Sequence, residues 1–136
     1  MRQSEVADLL IDFEEGRIDP ASFHHRDHVR LSYELLARHP FPEALLYLAR
    51  GLRRLAAKAG RPQVYHETIT AAFLALIAER RLRGCHATWE DFAARNPDLF
   101  SKQLLEEFYE PDLLKSQVAR QTFILPKRIG AEKGSS

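Results

Sequence analysis

Three histidines near residue 25 are the side chains of this sequence best suited to chemistry. His24, His25 and His28 lie within a short segment that is predicted to be helical. A helix turns by about 100° per residue, so the histidines fall in the sector that also carries Leu31 and Leu35. Burying an imidazole without a hydrogen-bond partner costs about 1–3 kcal/mol. We therefore expect the buried rings to share a partner, which could be a metal ion, a carboxylate network or a polar ligand.

A further histidine lies on the apolar face of a later predicted helix. His66 shares this face with Ile69 and Phe73 when the segment is projected as a helix. The spacing His25-x-x-His28 places two imidazoles on adjacent turns, and His66 from a facing helix could be a third ligand, because bundle metal sites are built in this way. Imidazole ligands suit zinc, iron, nickel and copper, so the pattern predicts a divalent metal ion without choosing among them. If the protein is an enzyme, the ion would act as a Lewis acid or would activate water, in a reaction on a small molecule.

Three residues beside His66 could belong to the same site. Glu67 is the candidate catalytic residue, as a general base; it could instead be a fourth metal ligand or fix the tautomer of a ring. Tyr65 and Thr70 are candidate cofactor-binding residues, because both could line the pocket around His66. Ordinary structural roles also explain these two: Tyr65 is the more simply explained as a core residue, and Thr70 is equally well explained by a hydrogen bond to its own helix.

Two alternatives to a metal site stay open. A pair of histidines at positions i and i+3 is not a specific motif, and it occurs often by chance. The first alternative is a non-catalytic binding module in which the histidines form a polar pocket for a small molecule. The second is an interaction protein, including a homodimer, in which the histidines are structural.

Four short motifs carry a resemblance to a known family. They are F-x-H-x-x-H at residues 23–28, Y-H-E-T at residues 65–68, N-P-D-L at residues 96–99 and F-I-L-P at residues 123–126. In these motifs the sequence resembles a family of small bacterial proteins without an assigned function. The resemblance covers most of the chain. It selects His25 and His28 over His24 and adds His66 and Glu67, but it implies no particular reaction.

Composition indicates one globular domain and excludes some partners. The chain has 136 residues, of which 45% are hydrophobic and 29% are charged. Its 20 basic and 19 acidic residues nearly balance, whereas nucleic-acid binders usually carry a one-sided basic surface. The lone Cys85 allows no internal disulfide, which favours a reducing compartment. We see neither a signal peptide nor an apolar run of roughly 20 residues, so we expect a cytoplasmic protein without a nucleic-acid or membrane partner.

Apolar periodicity and helix-capping residues predict an all-α fold. We expect a single-domain bundle over residues 1–126 with four longer helices and two or three short ones, followed by a flexible tail at residues 127–136. The longer helices are predicted at residues 4–15, 22–38, 42–58 and 64–83, and the shorter ones after Thr88, at residues 99–109 and after Pro111. Arg26 and Arg30 are predicted to point away from the histidines.

Overall fold

The computed structural model describes residues 3–126, and this part of the chain is all-α. It confirms the predicted helical bundle. The α-helices are α1 (Gln3–Glu14), α2 (His25–Arg38), α3 (Phe41–Lys58), α4 (Glu67–Arg83), α5 (Trp89–Arg95), α6 (Pro111–Leu114) and α7 (Gln117–Gln121). Among the described residues, no helix is long and apolar enough to cross a membrane. The predicted tail at residues 127–136 lies outside the described residues.

The four longer helices pack around a first apolar core. α2 packs against α3 and α4, and α1 packs against α2 and α3. The side chains buried between them include Phe13, Leu31, Leu35, Leu48 and Leu74. Burying each large apolar side chain stabilises the fold by about 1.5–3 kcal/mol, so these helical stripes hold α2 in place against its neighbours.

A second apolar core joins α2 and α4 to the C-terminal third of the chain. Its buried members include Val29, Phe73, Phe92, Leu99 and Tyr109. Short helices that could not be stable alone are held here by packing, because isolated helices of this length are marginal in water. The consequence for the site is that the chain near Leu99 lies over the start of α2.

A glycine allows α1 to approach α3 closely. Gly51 is buried on α3, and a Cβ atom built on it would lie 2.1 Å from Cζ of Phe13. Any larger residue would therefore displace the Phe13 ring. At the end of α1, Gly16 has φ +74°, a left-handed conformation that favours glycine.

Two predicted helix starts are wrong, and both errors concern histidines. α2 begins at His25 instead of residue 22, because His24 has an extended backbone and its N–H donates to the carboxylate of Asp27 at 3.0 Å. α4 begins at Glu67 instead of residue 64, because His66 also has an extended backbone and caps the helix. Imidazole is not among the side chains usually found as helix caps, so capping preferences do not predict that a helix begins directly after His24 or His66.

The predicted helix at residues 99–109 is also wrong. Two short 3₁₀ helices, Pro97–Phe100 and Lys102–Glu107, replace it. They are separated by Ser101, whose backbone is extended (φ −100°, ψ 127°) and whose hydroxyl accepts a hydrogen bond from the Gln103 N–H. The segment after Pro111 is likewise divided in two, because Ser116 caps α7 by accepting from the Ala119 N–H.

Candidate functional site

His25 and His28 lie together on the first two turns of α2 and face α4. Their ring centroids are 6.0 Å apart, with the rings nearly perpendicular. Both rings pack against Phe73 of α4, at centroid distances of 5.1 Å for His25 and 6.5 Å for His28. The exposed His24 is not part of this pair, since its side chain is 74% exposed. The helix start separates it from the two histidines that turn inward.

The ring of His25 is anchored by a hydrogen bond that it donates to a distant segment. Its Nε2 lies 3.0 Å from the carbonyl oxygen of Leu99. A carbonyl oxygen can only accept, so Nε2 carries the proton and Nδ1 has the free lone pair. Burial lowers the pKa of His25, the bond to Leu99 opposes this effect, and the positive charge of Lys102 lowers the pKa further. The site therefore holds His25 in one tautomer.

His28 has a buried ring nitrogen without a partner. Within residues 3–126, its Nε2 is shielded from solvent and makes no hydrogen bond. Burial lowers the pKa of His28 to about 4, and the neighbouring His25 contributes to this shift. The ring is therefore neutral at pH 7. An unpartnered buried polar atom costs about 1–3 kcal/mol, so this nitrogen calls for an explanation, as does Nε of Arg81, which is also buried without a partner among the described residues.

His66 has a different environment, in which both ring nitrogens are occupied. Nδ1 accepts a hydrogen bond from the Ile69 N–H at 3.1 Å, so Nε2 must carry the proton. Nε2 then donates to the carbonyl oxygen of Leu114 at 2.6 Å, which ties the start of α4 to α6. Among residues 3–126, no three His, Cys, Asp or Glu side chains form a group that could hold a metal ion. The predicted set of His25, His28 and His66 is thus not brought together.

Glu67, the predicted catalytic residue, lies in a network with Tyr65 and Arg53. Its Oε1 accepts hydrogen bonds from the Tyr65 hydroxyl at 2.9 Å and from Arg53 Nη2 at 3.1 Å. The guanidinium of Arg53 also lies over the Tyr65 ring, 4.8 Å from its centroid. Burial, more than the contact with Glu67, raises the pKa of Tyr65 to about 12. These contacts join Glu67 to a tyrosine and an arginine, not to a histidine.

A cavity beside this network contains both predicted cofactor-binding residues. Tyr65, His66 and Thr70 line one cavity of about 340 Å³ between α3 and the start of α4. The rest of its lining is apolar and includes Phe23 and Leu55. The Thr70 hydroxyl donates to the His66 carbonyl oxygen at 2.8 Å, which is the structural role foreseen for it. The cavity therefore has an apolar wall and a polar end.

Arg30 is predicted to point away from the histidines, and the structure shows that this other side of α2 is buried as well. Arg30 is 7% exposed and pairs with Glu34 at 2.7 Å, and its guanidinium lies 4.9 Å from the Trp89 ring centroid. The residue is covered because α5 begins at Trp89 and closes this side of α2. The i, i+4 spacing of Arg30 and Glu34, continued by Arg38, is the signal that could have indicated an ion-pair network.

Fold and site together define a small all-α bundle with a pair of neutral, inward-facing imidazoles at the start of one helix. No protein family matches the sequence, and comparisons with curated proteins and with solved structures found no similar protein. The resemblance to a bacterial family thus stays a prediction, and the site has to be interpreted from its own geometry.

Proposed function

We propose that this protein binds a divalent transition-metal ion through His25 and His28. The observation that carries the proposal is the buried Nε2 of His28, which has no partner among the described residues and lies beside the ring of His25. A ligand at this nitrogen would remove the cost of leaving it unpartnered. Nitrogen lone pairs of neutral imidazoles are preferred ligands of zinc, copper, nickel and iron.

The tautomer of His25 supports the same proposal. Metal-binding histidines almost always donate their second ring N–H to a carbonyl, a carboxylate or water, and this bond orients the ring. His25 makes such a bond to Leu99, which leaves its Nδ1 available. We therefore expect the ligand atoms to be Nδ1 of His25 and Nε2 of His28. Each ring is kept neutral by burial, as metal coordination requires.

Two imidazoles leave most of the coordination sphere of an ion open. The remaining positions would be taken by water or by a small molecule. An open position is what metal-assisted chemistry requires, since substrate or water must reach the ion. The proposed reaction class is thus Lewis-acid or water-activating chemistry on a small molecule, without His66 as a ligand.

Zinc binding by the untagged protein tests the proposal, with affinity measured by calorimetry and metal content by mass spectrometry. We expect saturable binding in the parent and its loss in both His25→Ala and His28→Ala, with folding checked by circular dichroism. Two histidine variants are matched controls: His24→Ala, which removes an exposed neighbour, and His66→Asn, which keeps a helix cap. Both should bind zinc as the parent does.

Three results would decide against this two-histidine site. If the parent binds neither zinc, nickel nor copper, no such site exists. If folded His66→Asn loses the metal, the three-histidine set is correct instead. If binding survives in folded His28→Ala and in His28→Leu, the ion lies elsewhere.

The cavity beside Tyr65 favours a second candidate function, the binding of a small organic molecule. Its apolar wall and polar end match the usual composition of ligand pockets, and its volume of about 340 Å³ lies at the lower end of their range. A ligand there would raise the melting temperature of the protein in a way that a chelator does not reverse. Thermal-shift screening with and without EDTA, repeated on Tyr65→Phe, separates this function from metal binding.

A further inference from the structure

A second cavity, remote in sequence from the histidine pair, lies where α1 meets α3 and the end of α2. Its volume is about 220 Å³. Leu10, Phe13 and Leu35 form an apolar floor, and Gly51 completes it because the absence of a side chain there makes room for Phe13. On one side, the rings of His39 and Tyr47 pack together with centroids 4.7 Å apart, and both line the cavity.

The mouth of this cavity carries an excess of positive charge. Arg38, Arg50 and Arg54 line it, and Glu14 is the acidic residue among its lining side chains. Arg38 is neutralised in part, because its Nη1 donates to Oε1 of Glu34 at 2.7 Å. Arg54 Nη1 donates to the backbone carbonyl of Glu14, which leaves the charge of Arg54 uncompensated by that contact.

Arg50 is the most informative of these arginines. Within residues 3–126, its guanidinium makes neither a hydrogen bond nor an ion pair, although the five N–H groups of arginine are all donors. Arg53, one turn further along α3, pairs with Glu67 and lies over the ring of Tyr65. Arg50 is exposed and lines the cavity, so its N–H donors are accessible to a ligand from solution.

We propose that this cavity binds a small organic anion, with a single-ring or short aliphatic body on the apolar floor and a carboxylate or phosphate group held by Arg50 and Arg54. The planar fork of a guanidinium matches both of these headgroups through paired hydrogen bonds. The cavity volume lies below the range usual for drug-sized ligands, so the body is limited to about one ring. The site does not depend on metal binding, because neither His25 nor His28 lines it.

Chemical-shift titrations of the full chain with four probes test this site. Benzoate and phenyl phosphate combine a ring with an anion, benzyl alcohol lacks the charge, and inorganic phosphate lacks the ring. We expect the two combined probes to bind at least tenfold more tightly than the other two, with the largest shifts at the lining residues. Whichever of benzoate and phenyl phosphate binds more tightly identifies the preferred headgroup.

Matched arginine variants complete the test. Arg50→Gln should weaken binding of the preferred probe at least fivefold, and Arg54→Gln should weaken it as well, whereas Arg53→Gln and His28→Ala should leave it unchanged. The proposal is overturned if benzyl alcohol binds as tightly as benzoate, if no probe binds saturably, or if Arg53→Gln weakens binding as much as Arg50→Gln. Since His28→Ala removes the proposed metal site alone, failure of either site can be recognised separately.

Discussion

The imidazole of His28, whose Nε2 is shielded from solvent, makes the stability of the protein depend on pH. Burial lowers the pKa of His28 from 6.5 to about 4 in the folded protein, whereas the unfolded chain retains the ordinary value. Between these two pKa values the unfolded state binds more protons than the folded state. Protonation of this group therefore costs no stability above pH 6.5, and the free energy of unfolding falls progressively as the pH drops from 6.5 towards 4.

The expected size of this effect is about 2 kcal/mol between pH 7 and pH 5. At pH 5 the ring is almost fully protonated in the unfolded chain, but only about a tenth of the folded molecules carry the proton. The pKa of His25 is lowered as well, so its contribution has the same sign. The parent protein should thus lose at least this amount of unfolding free energy on acidification.

Urea unfolding of the parent and of His28→Leu at pH 7 and pH 5 measures the contribution of His28. Leucine has a similar size and no nitrogen, so the variant should be at least as stable as the parent at pH 7. On going to pH 5, it should lose about 2 kcal/mol less than the parent. His24→Leu is the control, because it makes the same substitution at an exposed neighbouring position and leaves His28 in place. Equal pH dependence of the parent and His28→Leu would refute the reasoning, since it would mean that the folded protein hydrates or pairs this ring.

Three further predictions concern stability, and each is checked by chemical unfolding at pH 7. His66→Ala should cost about 1–2 kcal/mol through loss of the helix cap, and His66→Asn should retain part of it; equal losses would argue against capping. Arg30→Ala should lower the free energy of unfolding by about 3 kcal/mol, because Glu34 is left buried and less well paired. The double change Arg30→Met/Glu34→Leu should lower it much less, because no buried charge is left. A larger loss in the double variant would contradict a buried ion pair. Gly51→Ala should cost about 1–3 kcal/mol by collision with Phe13, and adding Phe13→Leu should recover some of it; a neutral Gly51→Ala would show that the two helices separate easily.

Most of the bundle could be predicted because its signals are local. These signals are the apolar stripe of α1, Gly16 after its end and Pro42 in the first turn of α3. Each of them depends on residues only a few positions apart, and the structure contains all three. The C-terminal third was harder because its segments are short and are held by tertiary packing. The break at Ser101, for example, follows from a local hydrogen bond that competes with a helical pattern of apolar residues.

The histidine site could be predicted only in part, because its decisive contacts are distant in sequence. The pairing of His25 with His28 follows from helix geometry, but the carbonyl that anchors His25 comes from 74 residues away. The helical projection that gave His66 an inward position assumed that it lies within a helix, whereas it precedes one. A helical projection of α2 predicts one buried face, which carries the histidines. In the structure a second face is buried as well, because α5 covers Arg30.

The contrast between His66 and His28 is the strongest reason to place function at the start of α2. His66 satisfies both ring nitrogens, so its presence is explained by the stability of α4 alone. His28 does not stabilise the fold in this way. Its unpartnered Nε2 lowers the stability at neutral pH, and the lowered pKa of the ring costs further stability in acid. An apolar residue could pack against Phe73 without these two costs. Residues that lower stability without a structural return are typical of functional sites, because binding or catalysis needs groups that folding does not. A neutral imidazole with a shielded, unpartnered nitrogen, next to an anchored imidazole, is therefore better explained by a ligand than by the fold.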